Sequence, residues 1–209
     1  IRDRINHRGV AVDMDFVNGA LEIGSTTRNA LIEEAVKITG LDNPNSVAQL
    51  QGWLENETGE EIESLRKDTV AKMLTANDNS AEVQRMLEIR QELGKTSTKK
   101  YNAIEKAVCR DNRVRGLLQF YGANRTGRWA GRLVQVQNLP RTYIEPLPFA
   151  RTLVKDRKAD ALRFVYGSVP DTLSQLIRTA FVAAEGNVLI DADFSAIEAR
   201  VISLSLIHI

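Results

Sequence analysis

The chain has 209 residues, 43% of them hydrophobic, with 28 Lys/Arg against 27 Asp/Glu and a single cysteine. That is enough for one or two domains with a sizeable core. It excludes a membrane-spanning run, a visible signal peptide and an internal disulfide, which fits a cytoplasmic protein of a bacterial or phage-infected host. In chain order, Ile1 to Arg8 is amphipathic. Gly9 to Asp13 reads as a short strand or extended turn, with Asp13 as a helix N-cap. Phe16, Val17, Ala20, Leu21 and Ile23 predict one helix. Ala30, Leu31, Ala35 and Ile38 predict a second, closed by Gly40. Asn43-Pro44-Asn45 is a turn, and Ser46 caps a helix whose apolar stripe is Val47, Leu50, Trp53 and Leu54. Trp53 shares that stripe and is expected in the core. An acidic link over Glu57–Glu63 leads to a modest helix, Leu65–Leu74, and a polar turn, Ala76–Ser80.

Ala81 to Arg110 carries a long helical pattern, broken by Gly94–Thr98 into two helices with a basic elbow. Gly94-Lys95-Thr96 is not a nucleotide phosphate loop: Ile89 stands where the earlier glycine belongs, and no strand precedes it. Cys109 is expected to be an inert packing thiol on this helical pattern. Val114–Tyr121 predicts a strand and Gly122–Gly131 a loop, in which Trp129 either stacks on a duplex end or wedges the loop. Pro140–Pro148 reads as extended and Ala159–Tyr166 as helical. Asp171 is the expected cap of a helix from Thr172 to Ala184, and Gly186 turns the chain toward Asn187. Val188-Leu189-Ile190 then predicts a buried strand with Asp191 and Asp193 at its exit. Ser195 and Glu198 have capping-box spacing at the start of a last helix.

The net charge of +1 hides an asymmetry. From Lys95 to Arg141 there are eleven Lys/Arg and two acids, a local charge of +9 that leaves −8 elsewhere. Like charges in one stretch point either to a solvated basic face or to a polyphosphate partner. A carboxylate at a strand end, beside a helix N-terminus, suits a hard cation and a phosphate together. Read without any family, Asp193 is either a helix cap or half of an Asp-x-Asp metal pair with Asp191, since residues two apart on a strand share a face.

Three segments carry a family resemblance. Asp193-Phe194-Ser195-Ala196-Ile197-Glu198-Ala199-Arg200 resembles the first catalytic motif of the family A, polymerase I-like DNA polymerases, of the phage type. Thr126-Gly127-Arg128 with Gln137-Asn138-Leu139-Pro140 resembles the family's primer–template segment, with the same offset from Arg to Gln. Asn43–Ser46, Leu87–Arg90 and Ser97-Thr98 resemble its helical thumb. The resemblance implies an α+β, mostly helical fold: thumb and partial palm of a right-hand-shaped polymerase, with the fingers missing. The implied divisions are 1–42 leading in, 43–112 as thumb, and 113–203 as partial palm with an insertion at about 142–172.

The implied activity is template-directed transfer of deoxynucleotides to a primer 3′-hydroxyl by two-metal phosphoryl transfer. The implied partners are primer–template DNA and deoxynucleoside triphosphates. Asp193 and the Phe194 carbonyl would bind two Mg²⁺ ions, with the second acidic ligand outside this chain. Asp193 and Glu198 would be catalytic, Glu198 also checking the sugar. Ser195 and Arg200 would join Glu198 in holding the nucleotide. Arg128, Gln137, Asn138 and Thr126, with Lys95, Ser97, Thr98 and Lys99 on the thumb, would hold DNA. Two alternatives stay open: a non-catalytic helical module binding duplex DNA, and another Asp-x-Asp nucleotidyl- or glycosyltransferase. Both ends read as cut, and with the fingers and the second metal-binding acid expected beyond Ser203 the piece is expected to be inactive alone. Leu204–Ile209 matches a translated sequencing-adapter end and is expected to be a non-native tail.

Overall fold

The computed structural model describes residues 2–75, 79–95, 97–190 and 195–207. Helix α1, Arg2–Arg8, leads into strand β1, Val10–Val12. Asp13 ends the strand, and its carboxylate accepts the Phe16 N–H at 3.2 Å, capping α2, Met14–Thr39. The two helices expected here are one continuous helix of 26 residues. The polar stretch at its middle stays helical because its hydroxyls are satisfied within it. Ser25 and Thr26 both donate to the Glu22 carbonyl at 2.9 Å. The buried stripe Phe16, Ala20, Ile23, Thr27, Leu31 and Ala35 also runs unbroken through it. Gly40, with φ +67°, terminates it as expected.

The two ends of α2 serve two different cores. Its second half packs with α3 (Val47–Thr58), α4 (Lys67–Leu74) and α5 (Ala81–Leu93) around Leu31, Leu50, Leu54, Val70, Met86 and Leu87. Ser46 and Ser80 cap α3 and α5 through their hydroxyls. Trp53 lies half-buried against this core, as its stripe predicts. Arg85 of α5 grips Glu34 of α2 with both arms of its guanidinium, at 2.7 and 2.9 Å.

The first half of α2 belongs to the second core. There it meets α6 (Ser97–Ala107), α7 (Leu147–Lys155) and α9 (Val169–Leu176), with α8 (Ala159–Tyr166) packed on α7 and α9. The expected break after Gly94 is therefore the point where the chain passes from one core to the other. Tyr101 of α6 is fully buried against Phe16 and donates its hydroxyl to the Leu173 carbonyl at 2.8 Å. Backbone groups come very close where α2 crosses α7: a Cβ on Gly19 would lie 2.3 Å from the Val154 carbonyl oxygen.

Strand β1 lies at the centre of a small antiparallel sheet, between β2 (Arg113–Val114) and β5 (Phe181–Val182). Ala11 pairs with both Arg113 and Val182. Strands β3 (Leu118–Ala123) and β4 (Arg128–Gly131) form a separate hairpin. The fold is thus α+β and mostly helical.

Several expectations need correction. The strand expected over Val114–Tyr121 is split at Gly116, whose φ is +69°, into β2 and β3, which join different sheets. The loop expected over Gly122–Gly131 is the end of β3, a turn and β4. Ser168, not Asp171, caps the helix before β5. That helix ends at Leu176, where a 3₁₀ turn, Ile177–Ala180, delivers Phe181 and Val182 to the open edge of β1. Cys109 is exposed just past α6 rather than packed.

Val188, Leu189 and Ile190 are 79%, 64% and 86% exposed and form no strand. An apolar run becomes a strand only when a neighbour supplies a ladder and a covering face. No strand among the described residues lies beside this one. Helix α10, Ile197–Ile207, follows after a turn at Ser195 and Ala196, and it carries on through Leu204.

Candidate nucleic-acid interface

The Thr-Gly-Arg segment forms the tip of the β3–β4 hairpin. Asn124–Gly127 makes the turn, closed by the Thr126 and Gly127 N–H groups, which donate to the Ala123 carbonyl at 3.0 and 2.8 Å. Gly127 has φ +66°, and a Cβ there would lie 2.8 Å from the Tyr121 ring. Both the backbone conformation and the ring demand glycine. The turn places Arg128 as the first residue of β4, opposite Ala123, with its side chain at the surface.

Gln137 reaches the same strand from further along the chain. After β4 the backbone bends through Leu133 and Gln135, both at positive φ, into a 3₁₀ turn, Val136–Asn138. Buried Val134 and Leu139 pin this segment to the core. Lys100 of α6 donates to the Val134 carbonyl at 2.8 Å. Arg178 forks onto the Leu139 and Pro140 carbonyls, each at 2.7 Å. The result lays the Gln137 carboxamide directly over Gly131, where a Cβ would lie 1.8 Å from Oε1. Gly131 is three residues from Arg128, roughly 10 Å along a strand. Side chains three apart on a strand point to opposite faces, so Arg128 and Gln137, nine apart in sequence, flank the two faces of β4. The Asn138 side chain is turned back to Gln135 at 3.2 Å, which braces the 3₁₀ turn.

The basic stretch is less uniform than its +9 suggests. Arg113 is spent on the Arg8 and Gly9 carbonyls. Arg115 pairs with both oxygens of Asp111, at 2.8 and 2.6 Å, and holds that carboxyl down to about 2. Lys95, expected to meet DNA, forms an ion pair with Asp171 at 2.6 Å. Burial pushes the Asp171 carboxyl up, but Lys95 and Gln175 together bring it below its ordinary value. Among the described residues the side chains of Lys99, Lys106, Arg110, Arg125, Arg132 and Arg141 have no hydrogen-bond or ion-pair partner. These six remain available to an anion.

Asp191, Asp193 and Phe194 lie outside the described residues. Ser195 is exposed in the turn before α10, and Ala196 has φ +52°. Arg200 folds back to donate to the Ser195 carbonyl at 2.9 Å, bracing that turn. Glu198 stands in the first turn of α10, and Ser97 and Thr98 in the first turn of α6. The expected capping-box contact rests on the Glu198 side chain, which is outside what is described. No group of three or more His, Cys, Asp or Glu among the described residues is placed to hold a metal ion.

Sequence reasoning passed over Lys100 and Arg178, which shape the Gln137 segment. Neither carries a motif, and their value comes from which carbonyls they reach. It also passed over Phe120 and Tyr121, read only as strand residues. Their signal was present as two large aromatics beside an arginine-rich turn.

A hairpin that presents an arginine at its tip and seats a glutamine on its strand, in a stretch rich in unpaired cations, can contact phosphates and hydrogen-bond acceptors. Comparison with known proteins says which family builds it here. The pattern of DNA polymerase family A matches residues 20–205, and the chain belongs to that family. A DNA polymerase of Bacillus phage SP02 is 58% identical over 199 residues, which is 95% of this chain and 30% of the phage protein. The chain thus spans less than a third of that relative's length. No solved structure matches the chain. No helix among the described residues is long and apolar enough to cross a membrane.

Proposed function

We propose that these residues form the primer–template-holding part of a DNA-directed DNA polymerase, with α3–α6 as its thumb and the sheet and hairpin as part of its palm. The reaction would join a deoxynucleotide to a primer 3′-hydroxyl with release of pyrophosphate. The observation that carries the reading is that the one hairpin presents Arg128 at its exposed tip and seats Gln137 on its strand β4, within a chain of family A. The minor groove shows acceptors at similar places in every base pair. A guanidinium or a carboxamide presented by this hairpin can therefore test the shape of a pair without reading its sequence. Thr126 and Asn138 shape the turns that present them. Lys99, with Ser97 and Thr98 at the start of α6, would face phosphates, while Lys95 is already engaged by Asp171.

At the other end of the site, Asp193 and the Phe194 carbonyl would hold Mg²⁺, and Glu198, Ser195 and Arg200 would border the nucleotide. The ions would supply charge stabilisation of the attacking and leaving oxygens. The fold's own contribution at α10 is a braced turn, in which Arg200 fixes Ser195 just beyond the expected ligands. Family membership argues against the glycosyltransferase alternative.

Fluorescence anisotropy with a labelled primer–template tests the duplex-holding surface. Arg128→Ala should weaken binding roughly 5-fold or more, the loss of a charge-assisted contact. Unchanged affinity would remove Arg128 from the surface. In a full-length polymerase carrying these residues, Asp193→Ala should abolish primer extension while Asp191→Asn only weakens it. Equal losses would favour an Asp-x-Asp metal pair instead.

A further inference from the structure

The β3–β4 hairpin carries a second feature that the duplex-holding role leaves unused. Phe120, Tyr121 and Trp129 are 56%, 58% and 41% exposed. Their rings form one cluster: Phe120 meets Trp129 edge to face at 5.3 Å between centroids, and Tyr121 at 6.3 Å.

The backbone is built to hold these rings outward. In a regular strand successive side chains alternate faces, so one of Phe120 and Tyr121 would turn inward. Here the pairing register shifts between Gln119 and Ala123, and Tyr121 adopts φ +54°. A bulge of this kind re-aims side chains, and a left-handed conformation is strained for a residue with a Cβ. The strain keeps Phe120 and Tyr121 at the surface together. Gly127 gives the Tyr121 ring a seat. Gly122 lets the strands close, since a Cβ there would lie 2.4 Å from the Ala130 Cβ.

Charge selects the partner. From Asn112 to Ile144 the sequence holds six arginines, no lysine and no acid. Among the described residues Arg125, at the hairpin tip, and Arg132, just past β4, have no side-chain partner. An apolar protein face would leave those guanidinium groups buried without counter-charge. A closed duplex offers phosphates but hides its base faces. A single strand offers both unpaired π-faces and a phosphate backbone.

We propose that Phe120 and Trp129, flanked by Arg125 and Arg132, form a stacking platform for the unpaired bases of single-stranded DNA. This rests on the nucleic-acid reading of the hairpin but not on Arg128 or Gln137.

The test uses Trp53→Phe, which leaves Trp129 as the sole tryptophan of the chain. An oligo(dT) strand should quench Trp129 fluorescence saturably. Phe120→Ala should weaken oligo(dT) binding roughly tenfold or more, and Phe120→Tyr should restore it. The affinity of Phe120→Ala for a blunt hairpin duplex should stay within about twofold of the parent, by the same stacking argument. Absence of quenching, with duplex binding intact, would overturn the platform alone. So would an Ala variant that binds oligo(dT) as tightly as its parent, or one that loses duplex and single strand equally. Failure of the parent chain to bind either nucleic acid would overturn the nucleic-acid reading itself.

Discussion

Replacing Gly131 by Ala should separate the stability of the hairpin from its grip on DNA. Gly131 is not at positive φ, so the backbone tolerates a side chain there. The new Cβ would lie 1.8 Å from Gln137 Oε1, 2.6 Å from Cδ and 2.8 Å from Nε2, with no backbone atom among these nearest neighbours. Ordinary contact needs about 3.5 Å, so the carboxamide must swing away by more than ~1.5 Å. It is the end of a flexible, exposed side chain, so the swing costs the fold little. Glycine inside a strand is itself unfavourable by roughly 0.5–1 kcal/mol relative to alanine. The melting temperature should therefore hold or rise slightly. Displacing Gln137 from the strand would remove the hydrogen bond proposed for it with a groove acceptor, worth about 0.5–1.5 kcal/mol net. The Kd for primer–template in an anisotropy titration should then rise roughly 2- to 12-fold. The decisive control is Gln137→Ala, on which Gly131→Ala should have no further effect. A Gly131 effect that persists without Gln137, or a large drop in melting temperature, would refute the reasoning.

Three further outcomes follow from the same geometry. Gly127→Ala should destabilise the chain by about 1–2 kcal/mol, because its φ is +66° and the Tyr121 ring occupies the space. Gly52→Ala, in α3 with nothing within 4 Å of the new Cβ, should instead stabilise it by about 0.5–1 kcal/mol; denaturant titration checks both. Asp13→Asn keeps a capping oxygen but loses the charge that faces Arg151 at 2.6 Å and Lys155 at 2.8 Å, so it should cost about 2 kcal/mol at pH 7. Burial pushes the Asp13 carboxyl up, but Lys155, the Phe16 N–H and Arg151 bring it below its ordinary 3.8. Its stabilisation is thus present above that pH and lost as pH falls through the lower folded value, so the variant and parent should converge in acid. Glu92 behaves oppositely. Burial raises its carboxyl above the ordinary 4.5, against the pull of Arg85 and Arg163, so its ionisation penalises the folded state as pH rises through the raised value. Glu92→Gln should raise the melting temperature at pH 8 and leave it nearly unchanged at pH 4.

Several helices, caps and breaks were legible in the sequence, although the expected break inside α2 and the Asp171 cap were not found. Asp13, Ser46 and Gly40 act where their chemistry requires, because a cap is a contact between residues two to four apart. The helix over Ala159–Tyr166 is found with its expected bounds for the same reason. The motif residues Arg128 and Gln137 were legible too, but only as members of a pattern, without the seat of Gln137 on Gly131.

Local sequence did not reveal what distant backbone supplied. Val188–Ile190 has the composition of a strand yet lies exposed, because strand formation depends on a partner edge. Phe181 and Val182 end a predicted helix as a strand because β1 offers such an edge. Cys109, placed in the core by helical period, is exposed because α6 stops at Ala107. The seating of Gln137 on Gly131 needed Lys100, Arg178 and buried Val134 to bend the chain back. Those contacts join residues 34 to 39 positions apart, beyond the range of any local periodicity. Composition and short-range pattern set which segments coil and where they stop; long-range packing decided which side chains share a surface.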